Sequence, residues 1–255
     1  MIGGRPLAVV TGGRQGIGAG IAIEFASRGF DVAITDIDTQ GSDEVLDGVR
    51  EKGAQASFFL SDLGDVERHA DVVSAICQWA GPITCLVNNA GIPSHSRGDL
   101  LSVTPNAFDS VLNVNLRGTF FFTQAVVRHM LATETCFDRS IVTVSSVSVE
   151  MASIERAEYC LSKSGLGMLT RLYALRLAPH RIGVFEVRPG VIKTPMTGPV
   201  AQKYDERIAA GMVPMGRWGY PADVAKAVVS LADGQLGFCT GSVVHVDGGL
   251  SIPKL

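Results

Sequence analysis

The chain has 255 residues, 46% of them hydrophobic and 18% charged, which supplies a substantial core and excludes an intrinsically disordered protein. A formal net charge of −3, with no run of Lys or Arg, excludes the electrostatic footprint of a nucleic-acid-binding or membrane-surface protein. Five cysteines, an odd number without C-x-x-C spacing, predict buried thiols in a reducing compartment, with neither a disulfide framework nor a metal site.

The amino-terminal segment MIGGRP leads directly into an apolar run, so we expect no signal peptide. No apolar run reaches the length that a membrane-spanning helix needs. These features predict a cytoplasmic protein that interacts with neither membranes nor nucleic acid.

Seven short β-rich runs alternate with segments of helical spacing. The runs are LAVVT (7–11), DVAIT (31–35), QASFFL (55–60), CLVNN (85–89), SIVTVS (140–145), GVFEV (183–187) and SVVHV (242–246). Most are apolar on both alternations, as strands covered on both faces require. Strand alternating with helix indicates right-handed crossovers, and no linker-like segment interrupts the pattern. We therefore predict an α/β fold: one domain, residues 1–255, with a doubly wound parallel sheet of about seven strands and helices on both faces.

The first predicted strand ends in a glycine-rich turn, TGGRQGIG, and a helical pattern follows. Gly12 permits a tight turn, and Gly16 lets the backbone approach a pyrophosphate. Gly18 lets the helix pack closely on the sheet. A plain strand-to-helix turn would explain two of the three glycines, but their position in the first βαβ unit indicates a dinucleotide site.

An acidic residue, Asp36, ends the second predicted strand 18 residues after Gly18. A carboxylate at this place accepts hydrogen bonds from both ribose hydroxyls and repels a 2′-phosphate, so it favours NAD over NADP. Asp38 is an alternative acidic residue, and Arg14 in the glycine turn is a cation that would attract a 2′-phosphate. Asp62, after the third strand, would either bind the adenine amino group or cap a turn.

Four polar residues of the second half form the candidate catalytic set. Tyr159 and Lys163 lie four residues apart, which places both side chains on one face of a helix. Ser146 lies 13 residues before Tyr159, at the end of the fifth predicted strand. Asn115 lies within a predicted long helix, residues 108–131, where a buried amide needs partners. The carboxyl edge of the sheet is where these residues converge.

Taken together, these motifs resemble those of the short-chain dehydrogenase/reductase family, in its short single-domain branch with a Rossmann-like fold. The resemblance rests on TGGRQGIG, NNAG, Asn115, Ser146, the Tyr159-x-x-x-Lys163 pair, RPGVIKT and the closing GRWGYPADVA and CTGSVVHVDGG segments, in order along nearly the whole chain. It implies an oxidoreductase that transfers a hydride between a nicotinamide cofactor and an alcohol or ketone.

The family resemblance also implies residue roles. Tyr159 would be the general acid/base, and Ser146 would polarise the substrate oxygen. Lys163 would bind the nicotinamide ribose and lower the pKa of Tyr159, and Asn115 would hold a water of the proton relay. Residues implied in cofactor binding are Gly12, Arg14, Gln15, Gly16, Ile17, Gly18, Asp36, Ile37, Asp62, Leu63, Asn88 or Asn89, Ala90, Gly91, Tyr159, Lys163, Pro189, Gly190, Ile192 and Thr194.

The substrate is less constrained by the sequence. The residues that we expect near it are Ser146, Ser148, Tyr159, His95, Glu150, Met151 and Met196, together with Glu155 and Arg156. Residues 196–219 are expected to form a lid with possible hinges at Gly198 and Gly211. Polar neighbours would suit a sugar or polyol, whereas the methionines would suit a more apolar alcohol.

Three functions remain open at this point. The first is an NAD-dependent dehydrogenase of a small secondary alcohol, sugar or polyol. The second is a 3-oxoacyl-acyl-carrier-protein reductase, and the third is a non-catalytic nucleotide-binding regulator. Apolar helices around GTFFFTQAVV and CLSKSGLGMLTRLYALRLA are consistent with the homotetramers of this family, although burial in the core would also explain them.

Overall fold

A computed structural model describes residues 4–95 and 97–253. Seven parallel strands form one sheet in the order β3-β2-β1-β4-β5-β6-β7. The strands are β1 (Leu7–Thr11), β2 (Asp31–Asp36), β3 (Ala56–Leu60), β4 (Ile83–Asn88), β5 (Arg139–Val144), β6 (Ile182–Pro189) and β7 (Val243–Val246). The predicted doubly wound sheet is confirmed, and each predicted strand limit lies within two residues of the observed one.

In the part of the chain that the structure describes, eight α-helices connect and cover the strands. They are α1 (Gly16–Ser27), α2 (Ser42–Arg50), α3 (His69–Ala80), α4 (Pro105–Leu112), α5 (Thr119–Ala132), α6 (Ala157–Leu177), α7 (Ala201–Ala209) and α8 (Pro221–Ala232). Within the described ranges, no helix is both long enough and apolar enough to cross a membrane.

The predicted long helix at 108–131 consists of three parts. α4 begins after Thr104, whose hydroxyl accepts a hydrogen bond from the Ala107 amide, and it has Pro105 in its first turn. A π-helical segment, Asn113–Gly118, then joins α4 to α5. Such wide turns are rare and often mark functional sites, and this one contains Asn115.

Two hydrophobic cores cover the two faces of the sheet. One core includes Phe25 of α1, which packs on β1 and β2, and Val228 of α8, which packs on β5 and β6. The opposite core includes Phe122 of α5 and Leu177 of α6. Burial on both faces explains why the strands are almost continuously apolar in sequence.

The expectation that the five cysteines are buried is wrong for two of them. Cys85 is buried and Cys77 and Cys160 are partly buried, but Cys136 and Cys239 are exposed. All five thiols are free.

Candidate active site

The strand order reverses between β1 and β4, and a cavity of about 1090 Å³ opens at the carboxyl edge beside this point. The cavity extends from the glycine turn and Asp36 to Tyr159 and the segment that includes α7. The predicted cofactor residues on the β1–α1 turn contact this cavity, with the exception of Gly18. Those at the ends of β2, β3, β4 and β6 also contact it, with the exception of Asn88. The fold therefore brings together residues that are distant in the chain.

The glycine turn has the backbone geometry of an anion site. Gly12 and Gly16 have φ values of 63° and 58°, a region that side chains rarely adopt. A Cβ on Gly18 would lie 2.1 Å from the Gly12 carbonyl oxygen, so only glycine allows this approach of α1 to the turn. Gln15 provides no side-chain hydrogen bond to the start of α1, whose amides therefore point to the cavity without a cap.

Asp36 and Arg14 form the wall at the adenosine end. The Arg14 Nε atom lies 3.6 Å from the Asp36 carboxylate, and Arg14 Nη2 lies 3.9 Å from Asp38. Arg14 also donates a hydrogen bond to the Gln40 carbonyl. Its positive charge is thus shared by two carboxylates. Asp62 accepts a hydrogen bond from the Gly64 amide at 2.8 Å, so it caps a turn while it also contacts the cavity.

The Asn89 side chain fastens the end of β4 to the glycine turn. Asn89 Nδ2 donates to the carbonyls of Thr11 and Gly12, at 2.9 and 3.0 Å. The neighbouring Asn88 instead points into the sheet and donates to Thr123 Oγ1 at 2.9 Å. Of the two asparagines, the structure therefore brings Asn89 to the cavity and gives Asn88 an internal role.

Ser146 and Tyr159 meet at the opposite end of the cavity. Ser146 follows β5, and its hydroxyl accepts a hydrogen bond from the Ser148 amide at 3.1 Å. Burial raises the pKa of the Tyr159 phenol. A hydrogen bond with Ser146 and the positive charge of the nearby Arg156 act in the opposite direction and offset part of this rise in pKa. The expectation of a lowered pKa for Tyr159 is wrong in this structure because desolvation dominates.

Lys163 lies one helical turn after Tyr159 and is buried, with 5% of its surface exposed. Its ammonium donates to the Val144 carbonyl at 3.2 Å and lies 5.7 Å from the centre of the Tyr159 ring. Burial lowers the pKa of Lys163 to about 8, against the opposing effect of the Glu186 carboxylate. Lys163 therefore remains mainly protonated at pH 7.

Asn115 lies behind the cavity wall in the π-helical segment and is fully buried. Its Oδ1 accepts a hydrogen bond from the Ile92 amide at 2.8 Å. Its Nδ2 donates to the Ile92 carbonyl and to Ser162 Oγ, at 3.0 and 3.1 Å, which uses both amide hydrogens. The predicted need of this buried amide for partners is confirmed.

A buried ion pair beneath the site was missed by the sequence analysis. Arg188 donates to both oxygens of Glu186, at 2.7 and 2.9 Å, and both side chains are almost completely buried. Ser145 also donates to Glu186, and Glu150 pairs with Arg188 from the more exposed side. The sequence feature that could have indicated this pair is the presence of two opposite charges in the otherwise apolar run GVFEVRP.

The predicted substrate residues divide into two groups. The residues that contact the cavity are Ser146, Ser148, Met151, Glu155, Arg156, Tyr159 and Met196. His95 instead lies exposed, with its ring 2.9 Å from Ser110 Oγ, and Glu150 is directed to Arg188 and His245. Neither of these two contacts the cavity in this structure, because their side chains turn toward other segments.

The predicted lid has a small core of its own. Ile208, Val213 and Trp218 bury one another, and Asp205 accepts a hydrogen bond from the Trp218 indole. Lys203 of α7 forms a salt bridge of 3.3 Å with Glu155 across the cavity. Of the two proposed hinges, Gly211 has a φ of 85°, whereas Gly198 does not have a positive φ.

The residues present fit a dinucleotide. Two left-handed glycines and the uncapped start of α1 present backbone amides for a pyrophosphate, and the Asp36 carboxylate contacts the same cavity, where it can bind a ribose. Residues 4–95 and 97–253 contain no cluster of three or more metal-binding side chains.

Comparisons with known proteins agree with this geometry. The family model described as enoyl-(acyl carrier protein) reductase matches residues 12–251. The 3-oxoacyl-(acyl-carrier-protein) reductase FabG of Thermotoga maritima is 34% identical over 246 residues, covering 96% of this chain and 98% of that protein. The (3R)-3-hydroxyacyl-CoA dehydrogenase of Canis lupus familiaris is 36% identical over 256 residues, covering 96% and 95%.

A solved structure extends the agreement to the fold. The 3-oxoacyl-(acyl-carrier protein) reductase from Brucella melitensis in complex with NAD is 54% identical, with a TM-score of 0.96, and 98% of this chain and 99% of that chain are covered. The family model, the relatives and the solved structure all indicate the family that the sequence motifs resemble. The chain thus belongs to the short-chain dehydrogenase/reductase family and is a nucleotide-dependent oxidoreductase that acts on CH–OH groups.

Proposed function

We propose that this protein is an NAD(H)-dependent enzyme that interconverts a small secondary alcohol and its ketone, with residues 1–255 forming one cofactor-binding domain. The observation that carries this proposal is one continuous cavity that contacts the glycine turn at one end and Ser146, Tyr159 and Lys163 at the other. A cofactor of dinucleotide length would connect these two ends. A non-catalytic regulator would not need the buried lysine beside the phenol.

Cofactor binding is assigned to the cavity wall. The amides at the start of α1 and the glycine turn would hold the pyrophosphate, and Asp36 the adenosine ribose. Lys163 and Tyr159 would bind the nicotinamide ribose. The remaining cofactor contacts are proposed for Arg14, Gln15, Ile17, Ile37, Asp62, Leu63, Asn89, Ala90, Gly91, Pro189, Gly190, Ile192 and Thr194.

NAD is preferred to NADP in this proposal. A 2′-phosphate would meet the Asp36 carboxylate, and repulsion between two anions in a partly buried site is unfavourable. Arg14 offers little compensation, because its guanidinium already lies near Asp36 and Asp38. The name of the Brucella melitensis relative records NAD, which supports the same choice.

Proton transfer is assigned to Tyr159. Bound nicotinamide supplies the hydride acceptor for alcohol oxidation and the hydride donor for ketone reduction. Tyr159 Oη takes the alcohol proton in one direction and returns it in the other, while the Ser146 hydroxyl donates to the substrate oxygen. Arg156 and Ser146 both favour the phenolate, against the effect of burial.

A water position completes the proposed relay. Gly91 lies beside the two polar atoms concerned, because a Cβ added to it would come within 3.1 Å of Asn115 Oδ1 and 3.6 Å of Lys163 Nζ, so a larger residue would crowd them. A water beside these atoms would accept a hydrogen bond from Lys163 Nζ and donate one to Asn115 Oδ1. Asn115 therefore supports the relay through its carbonyl oxygen, because both of its amide hydrogens are already used.

The second candidate function is reduction of a 3-oxoacyl thioester. It is favoured by the names of the relatives from Thermotoga maritima, Canis lupus familiaris and Brucella melitensis. Within the first proposal, the cavity offers the substrate polar groups, Glu155 and Arg156, as well as the apolar Met151 and Met196, whereas His95 and Glu150 lie outside it.

Replacement of the phenol tests the catalytic proposal. We expect Tyr159→Phe to abolish turnover while NADH still binds, as measured by the change in NADH fluorescence. Near-normal activity of this variant would contradict the assignment of Tyr159. Tighter binding of NADPH than of NADH to the unmodified protein would overturn the role of Asp36 and favour the thioester reductase.

A homotetramer is proposed on the basis of two exposed apolar helix surfaces. The residues concerned are Phe120, Phe121 and Leu131 of α5 and Leu161, Met168, Leu172 and Leu175 of α6, all of which are exposed. Contiguous apolar surface of this kind is typical of interfaces between copies. Light scattering tests the tetramer, and cell fractionation tests the proposed cytoplasmic location.

A further inference from the structure

The substrate end of the cavity carries an excess of positive charge. Arg97, Arg156, Lys203 and Arg207 contact it, whereas Glu155 is the one carboxylate there among the described residues. Glu155 is neutralised by its salt bridge to Lys203. Because the whole chain has a net charge of −3, this concentration of cations does not reflect a basic protein. A cleft lined by one sign of charge attracts ligands of the opposite sign.

Three of these cations lack a counter-charge. Within residues 4–95 and 97–253, the side chains of Arg97, Arg156 and Arg207 form no hydrogen bond or ion pair with another side chain or with the backbone. By contrast, Arg14 and Arg188 are both paired with carboxylates. The guanidinium group is suited to bidentate binding of a carboxylate or phosphate, so these unpaired groups are available to an anion that enters the cavity.

The position of Arg156 shows where the anion would lie relative to the reacting carbon. Arg156 immediately precedes α6, and its Cζ atom lies 5.4 Å from the centre of the Tyr159 ring. The phenol oxygen of Tyr159 must reach the reacting oxygen of the substrate. An anionic group that binds Arg156 is therefore separated by only a few bonds from the carbinol carbon.

We propose that the substrate is a small hydroxy acid whose free carboxylate binds Arg156 beside Tyr159, with Arg97 and Arg207 attracting it at the cavity entrance. This inference rests on the proposed function. A thioester places a neutral carbonyl near the carbinol carbon and carries its phosphates at the far end of a long arm. Arg156 therefore selects the free acid over the thioester.

Matched pairs of alcohols test the proposal in the presence of NAD. The pairs are 2-hydroxypropanoate and its amide, 3-hydroxybutanoate and its amide, and gluconate and glucitol, with an N-acetylcysteamine thioester of 3-hydroxybutanoate as a further compound. We expect at least one acid to be oxidised with a kcat/KM about tenfold to a hundredfold above that of its neutral counterpart, the range for a charge-assisted hydrogen bond. Raising the ionic strength should raise the KM of the acid and not that of the amide.

Variants of Arg156 separate recognition from folding. Arg156→Gln should remove the preference for the acid, with the loss mainly in KM, and Arg156→Lys should restore part of it. Arg28→Gln is the matched control, because Arg28 is a half-exposed guanidinium at the far end of α1. That variant should retain the full acid-to-amide ratio. Thermal unfolding of all three variants checks that they fold.

Binding of an unreactive acid distinguishes failure of this inference from failure of the proposed function. Calorimetry should detect butanoate binding that Arg156→Gln abolishes, and butanamide should not bind. If such binding occurs without oxidation of any alcohol, the anion site is supported and the dehydrogenase proposal fails. Equal kcat/KM for acid and amide, preference for the thioester, or an unchanged ratio in Arg156→Gln would overturn the inference while the dehydrogenase proposal stands.

Discussion

The buried ion pair of Glu186 and Arg188 leads to a quantitative prediction for Glu186→Gln. Glu186 is fully buried and Arg188 is 2% exposed, and two hydrogen bonds of 2.7 and 2.9 Å join them. Glutamine keeps the volume of the side chain and can still accept a hydrogen bond from Ser145. It removes the negative charge, so that the buried guanidinium loses its main counter-charge.

Breaking a buried pair by removing one partner costs about 3–5 kcal/mol, since the remaining charge is desolvated without compensation. Glu150 also pairs with Arg188 from the more exposed side and supplies a second carboxylate. We therefore expect a loss of unfolding free energy at the lower limit, about 3 kcal/mol. This is a large part of the total stability of a typical domain.

Urea denaturation followed by circular dichroism measures the effect, at several protein concentrations because oligomers unfold in a concentration-dependent way. The control is the double variant Glu186→Leu with Arg188→Met, which replaces the pair by apolar groups of similar size. We expect the double variant to be about as stable as the unmodified protein. A loss of less than about 1 kcal/mol for Glu186→Gln, or a double variant as unstable as the sum of the single variants, would refute the reasoning.

Glu186→Gln should also shift the pH dependence of kcat/KM. Glu186 opposes the effect of burial on Lys163, whose pKa lies at about 8. Without that carboxylate the pKa of Lys163 falls further, so its ammonium is lost at a lower pH. In the ketone-reducing direction the Lys163 ammonium stabilises the phenolate that Tyr159 becomes when it gives up its proton, so we expect the fall in kcat/KM with rising pH to begin at a lower pH in Glu186→Gln. An unchanged profile would show that Glu186 does not act on Lys163.

Three further outcomes are expected. Gly18→Ala should cost about 3 kcal/mol in urea denaturation, because its Cβ would meet the Gly12 carbonyl at 2.1 Å, whereas Gly48→Ala in α2 should change stability by less than about 1 kcal/mol. Asn115→Leu should cost about 2–3 kcal/mol in the same assay, because it leaves the Ile92 amide and carbonyl without partners. The kcat/KM of alcohol oxidation should increase by up to about tenfold per pH unit between pH 7 and 9, because burial raises the pKa of Tyr159 and leaves little phenolate at neutral pH. A flat profile would contradict Tyr159 as the base.

Much of the scaffold of the candidate site follows from local sequence. Glycine at positions 12 and 16 is dictated by backbone conformation, and the four-residue spacing of Tyr159 and Lys163 places them on one helix face. The Asn115 prediction succeeded because a buried amide in a helix needs partners wherever the helix packs. These requirements depend on the backbone or on general solvation, so they are visible without a fold.

Other features depend on segments that are distant in the chain. His95 and Glu150 were predicted beside the substrate from their sequence neighbours. In the structure, the His95 ring contacts Ser110, and the Glu150 carboxylate pairs with Arg188 and His245. The direction of the Tyr159 pKa also depended on tertiary structure, because the extent of desolvation is set by everything packed around the phenol.

The sequence by itself therefore determined the parallel sheet, the dinucleotide turn and the residues available for proton transfer. Alternating apolar runs, glycine positions and helical spacing act over a few residues, and they leave little freedom in these features. Only the tertiary structure decided which charges meet. It buried Glu186 with Arg188 beneath the site and brought the unpaired Arg97, Arg156 and Arg207 to the same cavity. Coulomb interactions and desolvation depend on distances in space, and the order of residues along the chain does not specify those distances.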